Sequence, residues 1–334
     1  MRVSRRCVLA SVGLSFLVLA ELVGSHRPAG AAEGPVAAGP IGGSDIRSAI
    51  LPPPGLYGGV LGLYNGVTSL RDGSGHPPPA LDAVDLRAKV GGGFLAYVPN
   101  YQLFGGSIGL IGLVTAGEEC GQVVSTVPRR CTSGFGDPYV ELDWSRFFGR
   151  VRPSRDAGAF PIMEGLNISL GIGAVIPVGH YDQQLQASHG ISLGNHTFDI
   201  APSIAFTYTT TPLIAEGTEF SAKIYWNQYS TNSVTGYKAA PLVDVDFAIT
   251  EHFGRWQVGL AGVYLRQVDN DRQNGVFVPP DGRRMQWLAL GSVLNYDIAS
   301  LGAAIRVKAL TVAIAENAGM SPFIVVVGLA KKLH

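Results

Sequence analysis

Charge is scarce in this chain: Asp, Glu, Lys and Arg make up 15 % of its 334 residues, against about 25 % in an ordinary globular protein. The signs also balance, 25 acids against 25 bases. No field of one sign exists to hold nucleic acid or an acidic polymer. Cysteine is nearly absent, at three residues. Cys7 falls in an N-terminal apolar run, and Cys120 and Cys131 have no third or fourth ligand at metal-binding spacing. Long apolar runs are missing too. Beyond residue 32 no run, Phe323–Ala330 among them, approaches the ~20 residues a membrane helix requires. A chain that is 46 % hydrophobic without helical spans either buries a large core or faces lipid through strands.

Glycine, by contrast, is abundant at 44 residues, about twice its ordinary usage of ~7 %. The N-terminus opens on basic MRVSRR, continues through the apolar run Cys7–Val23 and ends in small residues, HRPAGAAEG. That three-part layout is a secretory signal peptide over residues 1–32, with cleavage expected near Ala31 or Ala32. Residues 33–54, rich in Gly, Ala and Pro and closing on LPPPG, are expected to be a periplasmic lead-in. Export also favours a disulfide between Cys120 and Cys131 across a short polar loop.

From residue 55 to 334 one theme repeats: about ten residues of alternation, then a turn or a polar loop. Strands are predicted near 55–66, 81–96, 102–115, 137–147, 163–177, 196–209, 218–230, 239–251, 255–268, 284–297, 299–312 and 320–330. Leu166, Ile168, Leu170 and Ile172 alternate with Asn167, Ser169 and Gly171, and Phe220, Ala222, Ile224 and Trp226 with Ser221, Lys223 and Tyr225. Connections after odd-numbered strands are mostly long and polar. Those after even-numbered strands are mostly short, with 148–162 breaking the pattern. An even strand count closes an antiparallel sheet without an edge in lipid, and long outside loops with short periplasmic turns fit an outer-membrane barrel. The predicted fold is therefore all-β: a closed antiparallel transmembrane barrel of twelve strands. Trp144, Phe147, Trp226, Tyr229, Phe253, Trp256 and Tyr264 fall near strand ends, as girdle residues.

In a barrel the polar face of each strand turns to the lumen. On that basis Asp85, Arg87, Lys89, Glu141, Asp143, Lys223, Asp244, Asp246, Arg306 and Lys308 are expected to line it. The acidic pairs Glu141/Asp143 and Asp244/Asp246 would face the basic rows Arg87/Lys89 and Arg306/Lys308 across water. Such rows could form a constriction selecting polar or ionised solutes.

The ordered pieces LPPPGLYGGVLGLYNG, SGFGDPYVEL, IPVGHYD, HTFDIAPSIAFTY, GYKAAP and GVYLRQVDND resemble the outer-membrane protein family named for the meta-pathway of phenol degradation, over roughly residues 50–330. The resemblance implies a barrel that moves aromatic compounds. Two departures stand out: Pro177-Val178-Gly179 where the family usually has Pro-Thr-Gly, and a chain ending AKKLH rather than on the aromatic residue that barrel assembly machinery reads.

Other candidates are weaker. His180, His189 and His196 flank one outside loop, but with Asp182 they match no strong ligand spacing. Asp269, Asn270 and Asp271 begin like a calcium loop and lack its Gly and Glu. GIGAVI at 171–176 lacks the third glycine of a dinucleotide fingerprint and runs into Pro177. An enzyme would have to draw on His180, Asp182 and Ser188, which form no triad pattern. The expected function is thus a non-enzymatic channel for passive uptake of small aromatic or hydrophobic compounds, with outer-membrane lipid, such solutes and the assembly machinery as partners and no cofactor. A structural or surface-interaction barrel with a plugged lumen is the alternative, and a barrel enzyme the next.

Overall fold

The computed structural model describes Glu33, Ala37 and residues 43–334. The signal-peptide expectation for residues 1–32 lies outside them. Twelve long strands run in chain order: β1 Gly55–Val67, β2 Asp85–Val98, β3 Gly106–Gln122, β4 Tyr139–Arg152, β5 Ile162–Val175, β6 Asp199–Thr209, β7 Thr218–Tyr229, β8 Leu242–Phe253, β9 Trp256–Gln267, β10 Gln286–Ile298, β11 Ala303–Glu316 and β12 Phe323–Lys332. Each pairs antiparallel with its sequence neighbours. Pairing of β1 with β12, from Tyr57↔Lys332 to Gly66↔Phe323, closes the ring. Closure satisfies the backbone of every strand without an edge, the condition for a sheet in hydrocarbon.

Side-chain parity separates the two faces. Val60, Leu110, Val114, Leu142, Leu170, Ile172, Ile249 and Leu260 are exposed on the outer wall. Their sequence neighbours Glu141, Asp143, Asn167, Ser169, Lys223, Asp244, Asp246 and Thr250 are buried within the barrel. This inside-out distribution is what a lipid-facing barrel demands and a soluble sandwich forbids. Trp226, Phe253 and Trp256 stand on the outer face. Tyr229 does not: it is buried inward, packed in the interior cluster with Tyr237 and Leu242.

The connection expected over 148–162 is shorter than the sequence suggested, because β4 runs on to Arg152 and β5 begins at Ile162. The pairing continues because Glu164 accepts from both Arg150 and Arg152 across it, at 2.9 and 3.3 Å. On the opposite, long-loop side, β3 extends to Gln122 and pairs there with a short strand, Arg130–Phe135. The Cys120–Cys131 disulfide staples this hairpin. Replacing both cysteines by serine should loosen the hairpin by about 2–3 kcal/mol while leaving the twelve-stranded wall intact. Faster amide exchange confined to residues 116–135 would bear this out, and exchange spreading through β1–β12 would contradict it.

Candidate functional site: a strap through the barrel

Residues 43–50 do not form a periplasmic lead-in. They lie inside the barrel, within one compact unit spanning Ala31–His334, and touch strands all round the wall. The Ser44 amide and hydroxyl donate to Asp246 on β8, at 3.0 and 2.7 Å, and Tyr225 on β7 donates to the Ser44 hydroxyl. Asp45 is wholly buried and forms ion pairs with Lys308 (2.6 Å) and Arg306 (3.4 Å) on β11. The Arg47 guanidinium holds Asp297 on β10 through two donors, at 3.2 and 2.9 Å, while its amide donates to Glu219 on β7. Ser48 bonds Ser221, the Ala49 amide donates to Thr207 on β6, and Ser145 on β4 donates to the Ala49 carbonyl.

Above this stretch Ala37 is buried beside Tyr229 and Tyr237. The Glu33 carboxylate accepts from Tyr181, Asn232 and Thr235, at 2.8, 3.1 and 2.9 Å, all on long loops. Below it Leu51 packs where Gly109 leaves room: a Cβ there would meet Leu51 Cδ2 at 2.8 Å. Residues 43–51 therefore cross the interior as a strap that leads into β1 from inside, with Ala37 and Glu33 on the long-loop side of it. No apolar periodicity marks it, since apart from Ile46 in the interior cluster its contacts are made by backbone amides, serines and single charges. That is why composition alone read it as a linker.

The expected lumen residues divide into four groups. Lys223 is 2.8 Å from Glu141 and 3.3 Å from Asp143, and Ser203 and Ser169 complete that cluster. Its lysine comes from the barrel wall, not from a facing basic row. Arg306 and Lys308 are likewise inward, yet their partner is Asp45 of the strap. Asp244 and Asp246 are both buried inward, and Asp244 Oδ1 has no hydrogen-bond partner among the described residues.

Asp85, Arg87 and Lys89 do not line the lumen. The β1–β2 register is unbroken from Gly55↔Val98 to Val67↔Leu86, so alternation holds along all of β2. Leu95 and Tyr97, exposed to 57 % and 52 %, share their face, while Phe94 packs inward beside Leu113 and Tyr139. The three charges therefore stand on the outer wall, at the long-loop end of β2. Leu86 points inward, close to Gly121 and the Ile191 side of its loop.

The remaining candidates serve the loops. Asp182 caps a short helix, α1 Gln183–His189, by accepting from the Leu185 amide. Ser188 donates to the Gln184 carbonyl and lies 2.7 Å from His189 Nδ1, whose Nε2 faces the Pro128 carbonyl at 3.1 Å. His196 stacks on Tyr181 at 5.5 Å. The geometry brings no carboxylate to the Ser188–His189 contact. Asp271 ties two long loops together, accepting from Tyr237, the Ala240 amide and Gln267. Burial pushes its carboxyl above the usual range, and those donors pull it partly back.

Comparison with known proteins follows this architecture. A family model described as "Putative MetA-pathway of phenol degradation" matches residues 69–310. The chain belongs to this family. Among solved structures, the COG4313 outer membrane channel from Pseudomonas putida F1 superposes with a TM-score of 0.68 at 13 % identity, covering 85 % of this chain and 97 % of that one. The β domain of the Bordetella autotransporter BrkA follows with a TM-score of 0.46 at 12 % identity, covering 84 % and 100 %. The TodX monoaromatic hydrocarbon channel, a deletion mutant, gives 0.35 at 9 %, covering 84 % and 91 %. No curated protein matches the sequence. The first superposition shows that this family member shares the β-barrel fold of that outer membrane channel.

Proposed function

We propose that this family member is a passive outer-membrane channel for small aromatic or apolar compounds, exported by a cleaved signal peptide and inserted by the barrel assembly machinery. The family's description supplies the aromatic class, and the superposed COG4313 protein is a channel by name. The observation that carries the reading is the character of the lumen. Glu141, Asp143, Lys223, Asp244 and Asp246 give part of it a polar lining, and the strap that crosses it is tied to the wall by hydrogen bonds and ion pairs as well as by Ile46, which packs in an apolar interior cluster.

Inward charge then sets a path for hydrated solutes, the apolar outer wall meets lipid, and no covalent step is needed. The strap equally favours a second reading, a plugged barrel with a structural role. Bilayer conductance of the folded mature chain, with and without simple aromatic acids, separates the two. Discrete steps that those acids block support the channel, and an inserted but silent barrel supports the plug. Neutralising Arg306 and Lys308 together with alanine should change the cation-to-anion permeability ratio of the conducting state. An unchanged reversal potential in a salt gradient would count against a lumen role for those two residues.

A further inference from the structure

The outer face of β2 changes character along its length. Near the short-turn end it shows Leu95 and Tyr97, both exposed. Gly93 and Gly91 follow with no side chain, and then come Lys89, Arg87 and Asp85 on the same parity. The register places Lys89 beside Tyr64 of β1 and Glu118 of β3. An apolar band that passes an aromatic residue into charge is the profile of a wall leaving the hydrocarbon for the headgroup layer.

Charges at that height are arranged to leave cation excess. Asp85 accepts from Arg87, at 2.9 and 3.1 Å, and from Arg129 of the next long loop, at 2.6 Å. One carboxylate thus holds two guanidiniums in place, side chains 50 % and 34 % exposed, with donors left over on each. Among the described residues no carboxylate lies within 4.0 Å of the Lys89 ammonium; Glu118, its cross-strand neighbour, is the other acid on this face. Arg129 reaches the site from a loop anchored by the disulfide-stapled hairpin, while Arg87 and Lys89 stand on β2.

We propose that Arg87, Lys89 and Arg129 form a binding site for the phosphorylated headgroup of an outer-leaflet glycolipid. This assignment rests on the outer-membrane reading above, but not on whether the barrel conducts. Fixed guanidiniums match phosphate oxygens through paired donors, and the lysine adds a point charge one strand position lower. The acyl chains of such a lipid run down the apolar wall below the cations, past Gly91 and Gly93 toward the exposed Leu95.

Native mass spectrometry of the detergent-folded chain with bis-phosphorylated lipid A tests this. The wild-type barrel should retain the lipid. The variant combining Arg87→Gln, Lys89→Gln and Arg129→Gln should lose about tenfold or more in affinity. Because Arg87 and Arg129 brace a loop, Lys89→Gln alone serves as the second variant: it leaves the Asp85 cluster intact and should weaken retention by a smaller factor. Equal retention by wild type and both variants overturns the site. So does equal binding of uncharged lipid, and displacement by millimolar inorganic phosphate would show that a free anion is the ligand. A chain that failed to insert into any bilayer would instead defeat the outer-membrane reading.

Discussion

Removing residues 43–50 should raise unitary conductance several-fold and let larger solutes through. The strap touches β4, β6, β7, β8, β10 and β11, so it spans the cross-section and does not hug one wall. Without it the polar groups it now occupies, Asp246, Ser221, Thr207 and Asp297, turn to water. None of the wall's own backbone pairing involves the strap, so the barrel should still fold and show its heat-modifiable mobility. Planar-bilayer recordings together with liposome swelling in sugars of rising size read the effect. Identical conductance and an identical size cut-off would mean that the strap does not set the passage.

The second large effect concerns stability. Asp45→Ala removes the carboxylate 2.6 Å from Lys308, which is 1 % exposed, and leaves that lysine with Asp246 as the remaining acid acting on it. Removing one partner of a buried ion pair costs about 3–5 kcal/mol, because the other charge stays desolvated. Replacing the pair by apolar groups of similar volume is close to neutral, so adding Lys308→Met to Asp45→Ala should recover most of the loss. Urea-driven unfolding of the detergent-folded barrel, followed by tryptophan fluorescence, measures both. Should Asp45→Ala unfold at the wild-type midpoint, either water reaches Lys308 or the strap leaves the lumen readily. The conductance of that same variant distinguishes these, since an absent strap raises it.

Much of the wall was legible because alternation is written into most strands. The runs in β5, β7, β8 and β11 each carry apolar and polar residues at period two, and the structure turns the apolar set outward in all four. Beginnings and ends were less readable. The stretch after Phe147 is rich in arginine, and only the pairing of Arg150 and Arg152 with Glu164 extends the strand through it.

β2 failed for a more specific reason. Its two halves are joined by Gly91-Gly92-Gly93, and three residues without side chains erase the alternation that would link Lys89 to Leu95. Read as separate pieces, the upper half looks like a strand with its charges in the lumen. Counted through the glycines, the odd positions run from charge at the top to exposed Leu95 and Tyr97 below. Parity counting was the available signal. The strap offered less, since nothing in Ser44-Asp45-Ile46-Arg47-Ser48 distinguishes a surface linker from a segment threaded through a pore. Its meaning comes from partners as distant in sequence as Asp297 and Lys308.

Because the strap is joined to β1 through Leu51 and three prolines, it can never diffuse away. Short, stiff tethers hold a detached segment at an effective concentration on the order of millimolar. A solute competing for the same groups must match that figure or bind the vacated surface far better than the strap does. On the channel reading proposed above, the tether would make the lumen a threshold device, closed to scarce solutes and yielding to abundant ones.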